Sequence, residues 1–546
     1  MLRLGCLVLV AGFACSGTGA SAQQAANPFE SVGDQNSQRA ENPLSEQSVL
    51  PVAQNRQANS VVDGDAIMIG AINIDSELPI AAERLASGYE QYIGQSATQE
   101  VLKSLASSVS EMARQEGYIF ASAFIPPQSV EVGVVKVRLD PGAIDEVRII
   151  GSRNKKLRRI LLKLKCEAAQ SELVEQQLLL AGDLPDITVR NTTYLREEGR
   201  GVLVVTVREQ KARGYAALDN YGPDALGPVR ARLQLDIAGL LTDSDVLTSS
   251  VITTVAQPKE LNFVSLKYAN TIGDGDTVVG FSVSAGRTQS GGRLRSLDYT
   301  GRSRFASIFA SQSLKRSNDF NLWLNAELAY LEVEQSQDGV RFQDDKIATA
   351  ALNFTGNHKI GSGRIYGGIG VTRGLGILGA SRRGDPLNSR FNGSGEFTKA
   401  NAWVNAILDF GHGFGARIAG NGQIASRPLL SANEIAIGGP YFGKGYDFSE
   451  RFGDEGIMGL AELRKGFDNV TNWLDWVQLY GFVDGGYVTN IDTGFGDGSL
   501  SSAGGGIRTQ MGPVDFNIET AMPINEDRFE SADRSPKINV QVGVRF

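Results

Sequence analysis

Cysteine and histidine are almost missing: the 546 residues include three Cys and two His. Cys6 and Cys15 fall within the first 22 residues, so a chain cleaved after that point keeps Cys166 alone. That excludes an intramolecular disulfide and a metal site built from several thiolates. His358 and His412 lie far apart in Gly-rich turns and read as solvated turn residues. Neither GxSxG, HExxH nor a paired His/Cys arrangement occurs, and no GxxxxGK[ST] loop is present. The chain is therefore expected not to be an enzyme, with no catalytic residue, metal or cofactor and no nucleotide-driven step. Past the N-terminus no apolar run reaches the roughly 18 residues of a spanning helix, which leaves open a barrel crossing the membrane with strands. Positive charge is also in deficit, and a formal charge of −8 argues against nucleic acid as a partner.

What is present begins with Arg3 ahead of an apolar run from Leu4 to Ala14 and the small residues Ala20-Ser21-Ala22. This is the pattern of a secretory signal, cleaved before Gln23. A lipid anchor at Cys15 is a poor fit, because bulky Phe13 stands where such signals carry smaller residues. Residues 23 to 65 are rich in Gln, Asn, Ser and Glu and read as a polar linker. The rest is too long for one ordinary core.

From residue 66 to 141 the pattern is α+β. A strand over Ile67–Ile74 precedes helices over Ile80–Tyr92 and after Ser96. Ser96 with Gln99 forms a capping box, Leu102, Leu105, Val109 and Met112 recur at helical spacing, and Gly117 ends the run. Strands over Tyr118–Ile125 and Val130–Leu139 complete a βααββ order. The order repeats over 142–210, with strands at Ala143–Ile150, Ile187–Leu195 and Val202–Val207 and helices at Asn154–Lys165 and Ser171–Ala181. In such a three-stranded sheet the second strand lies at the edge. Ile187, Val189, Asn191, Thr193 and Leu195 are thereby expected to offer unpaired backbone groups to an incoming extended chain. One helix of the second copy carries Arg153, Lys155, Lys156, Arg158, Arg159, Lys163 and Lys165. It reads as a solvated face, a lipid-attracted face or a dock for an acidic client.

Beyond residue 210 helical periodicity stops and alternation takes over. Leu233, Leu235 and Ile237 oppose Arg232, Gln234 and Asp236. The run Phe320, Leu322, Leu324, Ala326, Leu328 and Tyr330 opposes Asn321, Trp323, Asn325 and Glu327. Ile538, Val540, Val542, Val544 and Phe546 oppose Lys537, Asn539, Gln541, Gly543 and Arg545. About sixteen such segments are expected over 211–546, the even number that single-chain bacterial barrels carry. Connections on one side are tight, as at Thr242–Ser244, Gly273–Gly275 and Gly512–Pro513. Several on the other side are long, notably Gly374–Glu396, Arg427–Asp454 and Asn525–Lys537. Short periplasmic turns and long external loops are the mark of an outer-membrane barrel, and lipid forces such a sheet to close.

Two motifs stand out within the barrel. Ile437 to Asp447 reads IGGPYFGKGYD, and Gly481 to Gly486 reads GFVDGG. Phe482 and Asp484 share the parity opposite to Val477, Leu479, Val483 and Tyr487, which places the carboxylate on the lumen side. With Gly117-Tyr118, Phe124-Ile125-Pro126-Pro127-Gln128 and Leu218-Asp219-Asn220-Tyr221-Gly222, these motifs make residues 66–546 resemble the two-partner secretion transporters. Those are the haemolysin secretion/activation proteins, in which periplasmic POTRA domains precede an outer-membrane barrel. The resemblance implies that the sixth outer loop folds into the lumen, with Gly443, Lys444, Gly445 and Tyr446 at its tip. It also implies that Lys444, in the place of the family's arginine, meets Asp484 of the Phe482/Asp484/Gly486 strand. Lysine lacks the two-pronged donor of arginine, so a differently placed contact is expected. Glu462 and Arg464, lumen-facing by parity, are further candidate partners. The implied function is export: the POTRA domains capture an unfolded, TpsA-like partner protein by strand addition, and the barrel passes it outward. The molecule is expected to be a monomer in outer-membrane lipid, with residues 27–50 the place for a pore-plugging helix. The alternatives are a factor that inserts other barrels and a passive porin.

Overall fold

A computed structural model describes residues 52–53, 67–128, 133–166, 168–529 and 531–546. The signal segment, the candidate plug 27–50, Cys6 and Cys15 lie outside the described residues. Strand β1 (Val52–Ala53) comes first. The first βααββ unit follows with β2 (Ala71–Ser76), α1 (Ala82–Ser87), α2 (Gln99–Gln115), β3 (Ser122–Phe124) and β4 (Val134–Asp140). Leu102, Leu105, Val109 and Ala113 of α2 are buried at helical spacing against Val135, Val137 and Leu139 of β4. The cap differs from the expected box. Thr98 accepts from the Val101 N–H at 3.3 Å, while Ser96 is drawn into a bridge with Met68. Gly117 takes φ 95° just past the helix, where a side chain would be strained.

The second unit comprises β5 (Glu146–Ile150), α3 (Lys155–Leu162), α4 (Ser171–Gly182), β6 (Ile187–Glu197) and β7 (Arg200–Glu209). Its sheet runs β5-β7-β6, so β6 is the outer strand of the three, and β1 adds to it in parallel at Thr193 and Tyr194. Asn154 caps α3 by accepting from Leu157 N–H at 2.9 Å. The two units are fastened to each other. Phe120 stacks on Tyr194 at 4.1 Å between ring centroids, and Arg196 pairs with Asp140.

Sixteen antiparallel strands then close into a barrel. The first, Ala212–Asp219, pairs with the last, Lys537–Arg545. At the seam Gly214 and Phe546 exchange backbone hydrogen bonds of 2.7 and 3.0 Å. A Cβ on Gly214 would lie 2.2 Å from the Phe546 ring, so the terminal aromatic seats only over a glycine. The apolar parity expected to face lipid is the exposed one: Leu233, Ile237, Leu328, Val483, Ile538, Val542 and Phe546 all project outward. Among the described residues no helix is long and apolar enough to cross a membrane; the strands do so.

The basic helix α3 is neither wholly solvated nor wholly free. Its buried side meets the barrel's periplasmic turns. Asn154 donates to the Asp243 carbonyl at 2.6 Å, Lys156 Nζ to the Gly273 carbonyl at 2.9 Å, and Lys163 pairs with Asp274 at 2.7 Å. Arg316, at the foot of its strand, grips Asp183 through two bonds of 2.8 Å. Gly275 lies so close under Ile160 that a Cβ would come within 2.6 Å of its Cδ1. Arg153, Lys155, Arg158, Arg159 and Lys165 stay exposed.

The outward facing of Val542 sets an expectation. Val542→Arg places a charge against lipid at a cost of about 2–4 kcal/mol near the midplane and about 0–1 kcal/mol near an interface. Heat-modifiable barrel in isolated outer membranes should fall sharply, whereas the lumen-side Gln541→Arg should leave it near wild type.

Candidate functional site

The connection after Ala425 leaves the wall, forms a short antiparallel hairpin from Ile435–Ile437 and Arg451–Gly453, and sends its tip down into the lumen. The glycines make that reversal. Gly438, Gly439 and Gly443 sit at φ 117°, 99° and 76°, conformations that residues with a Cβ avoid. Behind the turn Tyr446 is fully buried among Ile435, Ile437, Met458, Val488 and Leu500, which fixes the depth of the tip.

The wall receives the tip through three polar anchors. Asp484 Oδ2 accepts the backbone N–H groups of Gly443 and Lys444 at 3.0 and 3.1 Å. Ser502 Oγ donates to the other Asp484 oxygen and accepts Gly445 N–H at 3.1 Å. Lys444 reaches past Asp484. Its Nζ lies 2.7 Å from Glu519 Oε2 and 4.2 Å from the centre of the Phe482 ring. The expected Lys444–Asp484 side-chain pair is thus replaced: Asp484 holds the loop's backbone and Glu519 holds its charge. The reason is reach. With its carboxylate committed to two adjacent N–H groups, Asp484 lies beside the backbone of Lys444, and the four-carbon stem carries the ammonium one strand pair further. Gly445 permits the approach, since a Cβ there would stand 2.8 Å from Pro523 N; Gly486 likewise, where a Cβ would stand 2.5 Å from the Ile457 carbonyl.

Glu462 sits in the same network without touching the loop. Arg508 grips it through two bonds of 2.8 Å and stacks over Tyr480 at 3.8 Å, and the Tyr480 hydroxyl donates to Glu519 at 2.9 Å. Lys444, Glu519, Tyr480, Arg508 and Glu462 therefore form one charge-balanced chain across neighbouring strands. Sequence reading assembled Lys444, Phe482, Asp484, Gly486 and Glu462 but missed Glu519, Tyr480, Ser502 and Arg508. A signal for Glu519 was present: Asp515, Asn517 and Glu519 alternate with Val514, Phe516 and Ile518 along their strand.

The root of the loop is fastened separately. Arg390, from the outer loop that follows Leu375, pairs with Asp454 at 2.7 Å and Glu434 at 3.1 Å, and donates to the carbonyls of Ile491 and Thr493. Asp454 also accepts Leu429 and Ile491 N–H groups. Burial pushes the Glu434 carboxyl up to about 8, against the pull of Arg390. Three outer loops converge on one guanidinium.

At β6 the backbone edge expected to be unpaired is partly taken, because β1 pairs with it at Thr193 and Tyr194. A bulge between Val189 and Asn191 shifts the register, so Ile187 points to the core above it, while below it Thr192 and Tyr194 are buried and Thr193 and Leu195 turn outward.

Residues 199–509 match the model of the haemolysin secretion/activation protein family ShlB/FhaC/HecB, and residues 69–142 that of the ShlB-type POTRA domain. The heme/hemopexin transporter protein HuxB of Haemophilus influenzae is 22% identical over 471 residues, covering 83% of each chain. Among solved structures, CdiB from Escherichia coli superposes with a TM-score of 0.73 at 18% identity, over 97% of this chain and 99% of that one. CdiB from Acinetobacter baumannii gives 0.65 at 16% identity, over 96% and 99%. BamA from Haemophilus ducreyi lacking POTRA domains 1-3 gives 0.52 at 14%, over 87% and 100%.

Removing one partner of the buried Lys444–Glu519 pair strands the other, a loss of about 3–5 kcal/mol for a fully enclosed charge. Lys444→Met and Glu519→Gln should each lower the thermal midpoint of the detergent-solubilised protein, and the double variant should fall well short of their sum. Lys444→Met combined with Asp484→Asn should come closer to additive, because Asp484 binds backbone N–H groups that both variants retain.

Proposed function

The chain belongs to the haemolysin secretion/activation family, and on that premise we propose how its parts divide the work of exporting a partner protein. It is an outer-membrane two-partner secretion transporter: periplasmic POTRA domains stand ahead of a closed barrel, and the cargo is an exoprotein. The observation that carries the proposal is a loop whose tip lies inside the barrel and is held there through polar contacts. Hydrogen bonds and ion pairs exchange readily for equivalents on a passing polypeptide, whereas a covalent or purely apolar plug offers no such substitutes. In this reading the tip around Lys444 withdraws during transport and exposes Asp484 and Glu519 as part of a polar wall.

Capture takes place at β6. An extended client segment adds to this edge beside Thr193 and Leu195, and recognition rests on backbone hydrogen bonds, which tolerate many sequences. The pairing of β1 with Thr193 and Tyr194 supports this site, because it places a strand of the chain's own N-terminal region on the same edge. A client then displaces β1 or extends the sheet past it. Direction comes from outside. With no nucleotide motif in the sequence, folding of the exoprotein beyond the barrel removes it from the transport equilibrium. The name of the relative HuxB points to a heme- or hemopexin-binding exoprotein as one class of cargo to try first.

A photo-crosslinking amino acid at Thr193 or Leu195 should capture the exoprotein during export, and one at core-facing Thr192 should not. Crosslinks of equal strength from Thr192, or none from Thr193 and Leu195 while export continues, would move the capture surface elsewhere.

A further inference from the structure

The lipid-facing parity of three long strands does not end where the apolar surface ends. Tyr299–Arg316, Phe320–Gln337 and Val340–Ile360 run for 18, 18 and 21 residues, against 13 for the next strand, Gly363–Leu375. On their outer face Ile308, Leu328 and Leu352 are 60%, 52% and 57% exposed, as residues against lipid are. One step outward on the same face comes the row Ala306, Tyr330 and Ala348, which pair across the ladder. The next row is Arg304, Glu332 and Lys346. The row after that is Arg302, Glu334 and Asp344, with Arg287 of the neighbouring strand opposite Arg302. Two residues advance a strand by about 6.6 Å, so a charged shelf begins within one headgroup's height of the last apolar row.

The shelf has a vertical order. Glu332, Glu334 and Asp344 lie underneath, with side chains only 16%, 11% and 10% exposed, and Arg304, Arg341 and Lys346 lie over them at 62%, 47% and 34%. Arg304 meets Glu332 at 2.9 Å, Arg341 meets Asp344 at 3.0 Å, and Lys346 meets Asp344 at 3.3 Å. The three carboxylates come close enough together to suggest a cation site, but each already accepts from an arginine or lysine of the shelf. Half-exposed ion pairs contribute little to stability, about 0–1 kcal/mol each, so stability does not account for the shelf. What the largely covered acids do is hold the Arg304 and Arg341 guanidinium groups and the Lys346 ammonium at the surface above them.

We propose that this shelf binds the phosphate groups of the phosphorylated glycolipid of the outer leaflet. The barrel's place in the outer membrane puts the shelf at the level of outer-leaflet headgroups, on the face that lipid already covers lower down. Arg287, Arg302, Arg304, Arg341 and Lys346 outnumber the carboxylates, and the four arginines carry the planar donor pairs suited to phosphate oxygens. Tyr330, in the row between, suits the apolar-to-polar boundary where barrel aromatics gather. Bound glycolipid would fix the rotation of the barrel relative to its lipid surround along the side formed by Phe320–Gln337 and Val340–Ile360.

The test uses the full-length protein in uncharged detergent, titrated with bisphosphorylated lipid A, with its dephosphorylated form, and with phosphatidylglycerol, and read by native mass spectrometry. Wild type should bind bisphosphorylated lipid A at least about tenfold more tightly than either control lipid. The variant Arg302→Gln/Arg304→Gln/Arg341→Gln should lose that preference while still running as a heat-modifiable barrel and exporting its partner. If the triple variant fails to fold, the comparison of the three lipids on wild type decides alone. Equal binding of dephosphorylated lipid A, equal binding of phosphatidylglycerol, or an unchanged preference in a folded triple variant would each overturn the proposal.

Discussion

Lipid gives a peptide group nothing to hydrogen-bond, and that one constraint shapes most of this molecule. A sheet with open edges cannot sit in a bilayer, so the strand Ala212–Asp219 must find Lys537–Arg545 at the far end of the chain. The seam is built from the smallest and one of the largest residues: Gly214 leaves the space that the Phe546 ring fills. Once the cylinder is closed, the period-two alternation of every strand sorts side chains into a lipid side and a lumen side, and the polar residues have only the lumen in which to meet.

Charge enclosed in that lumen needs a partner, since a lone buried ion is far costlier than a pair. Lys444 brings a positive charge to the barrel interior from outside the sheet, and Glu519, Tyr480, Arg508 and Glu462 receive it in alternating order. The same wall serves two purposes. It gives the loop a defined seat through Asp484 and Ser502, and it leaves polar surface when the seat is empty. Such a wall suits a passage for an extended polypeptide, which carries a hydrogen-bonding group at every residue.

Position on the periplasmic side comes from a different source. The second βααββ unit is held against the turns of the barrel by α3, where Asn154 and Lys156 donate to turn carbonyls and Lys163 pairs with Asp274, and by Asp183 just past α4, which pairs with Arg316. Carbonyls at strand ends are natural acceptors for such contacts, because the ladder stops there and leaves them unpaired. The stack of Phe120 on Tyr194 extends the arrangement to the first domain. The outer strand β6 and the pore are therefore held in a fixed relation by contacts spread over several short turns.

The chain's periodicities were enough to determine its architecture. Alternation is a property of neighbouring residues, so the strand number, the lipid-facing set from Leu233 to Phe546 and the repeated βααββ order could be read from residue types alone, as could the short and long turns. The meeting of the loop tip around Lys444 with the Asp484 strand came instead from the family resemblance, since periodicity gave only the facing of Asp484. Tertiary structure decided everything that depends on distance between separated strands. It chose Glu519 over Asp484 for the lysine, because the approach angle of a backbone turn sets how far a flexible side chain extends. It set Thr98 rather than Ser96 at the helix cap, and it laid β1 along the part of the β6 edge that was expected to be unpaired. It also converted part of a basic helix into a dock for the barrel. Local pattern fixes which face a residue takes; only the closed fold fixes which residue it finds there.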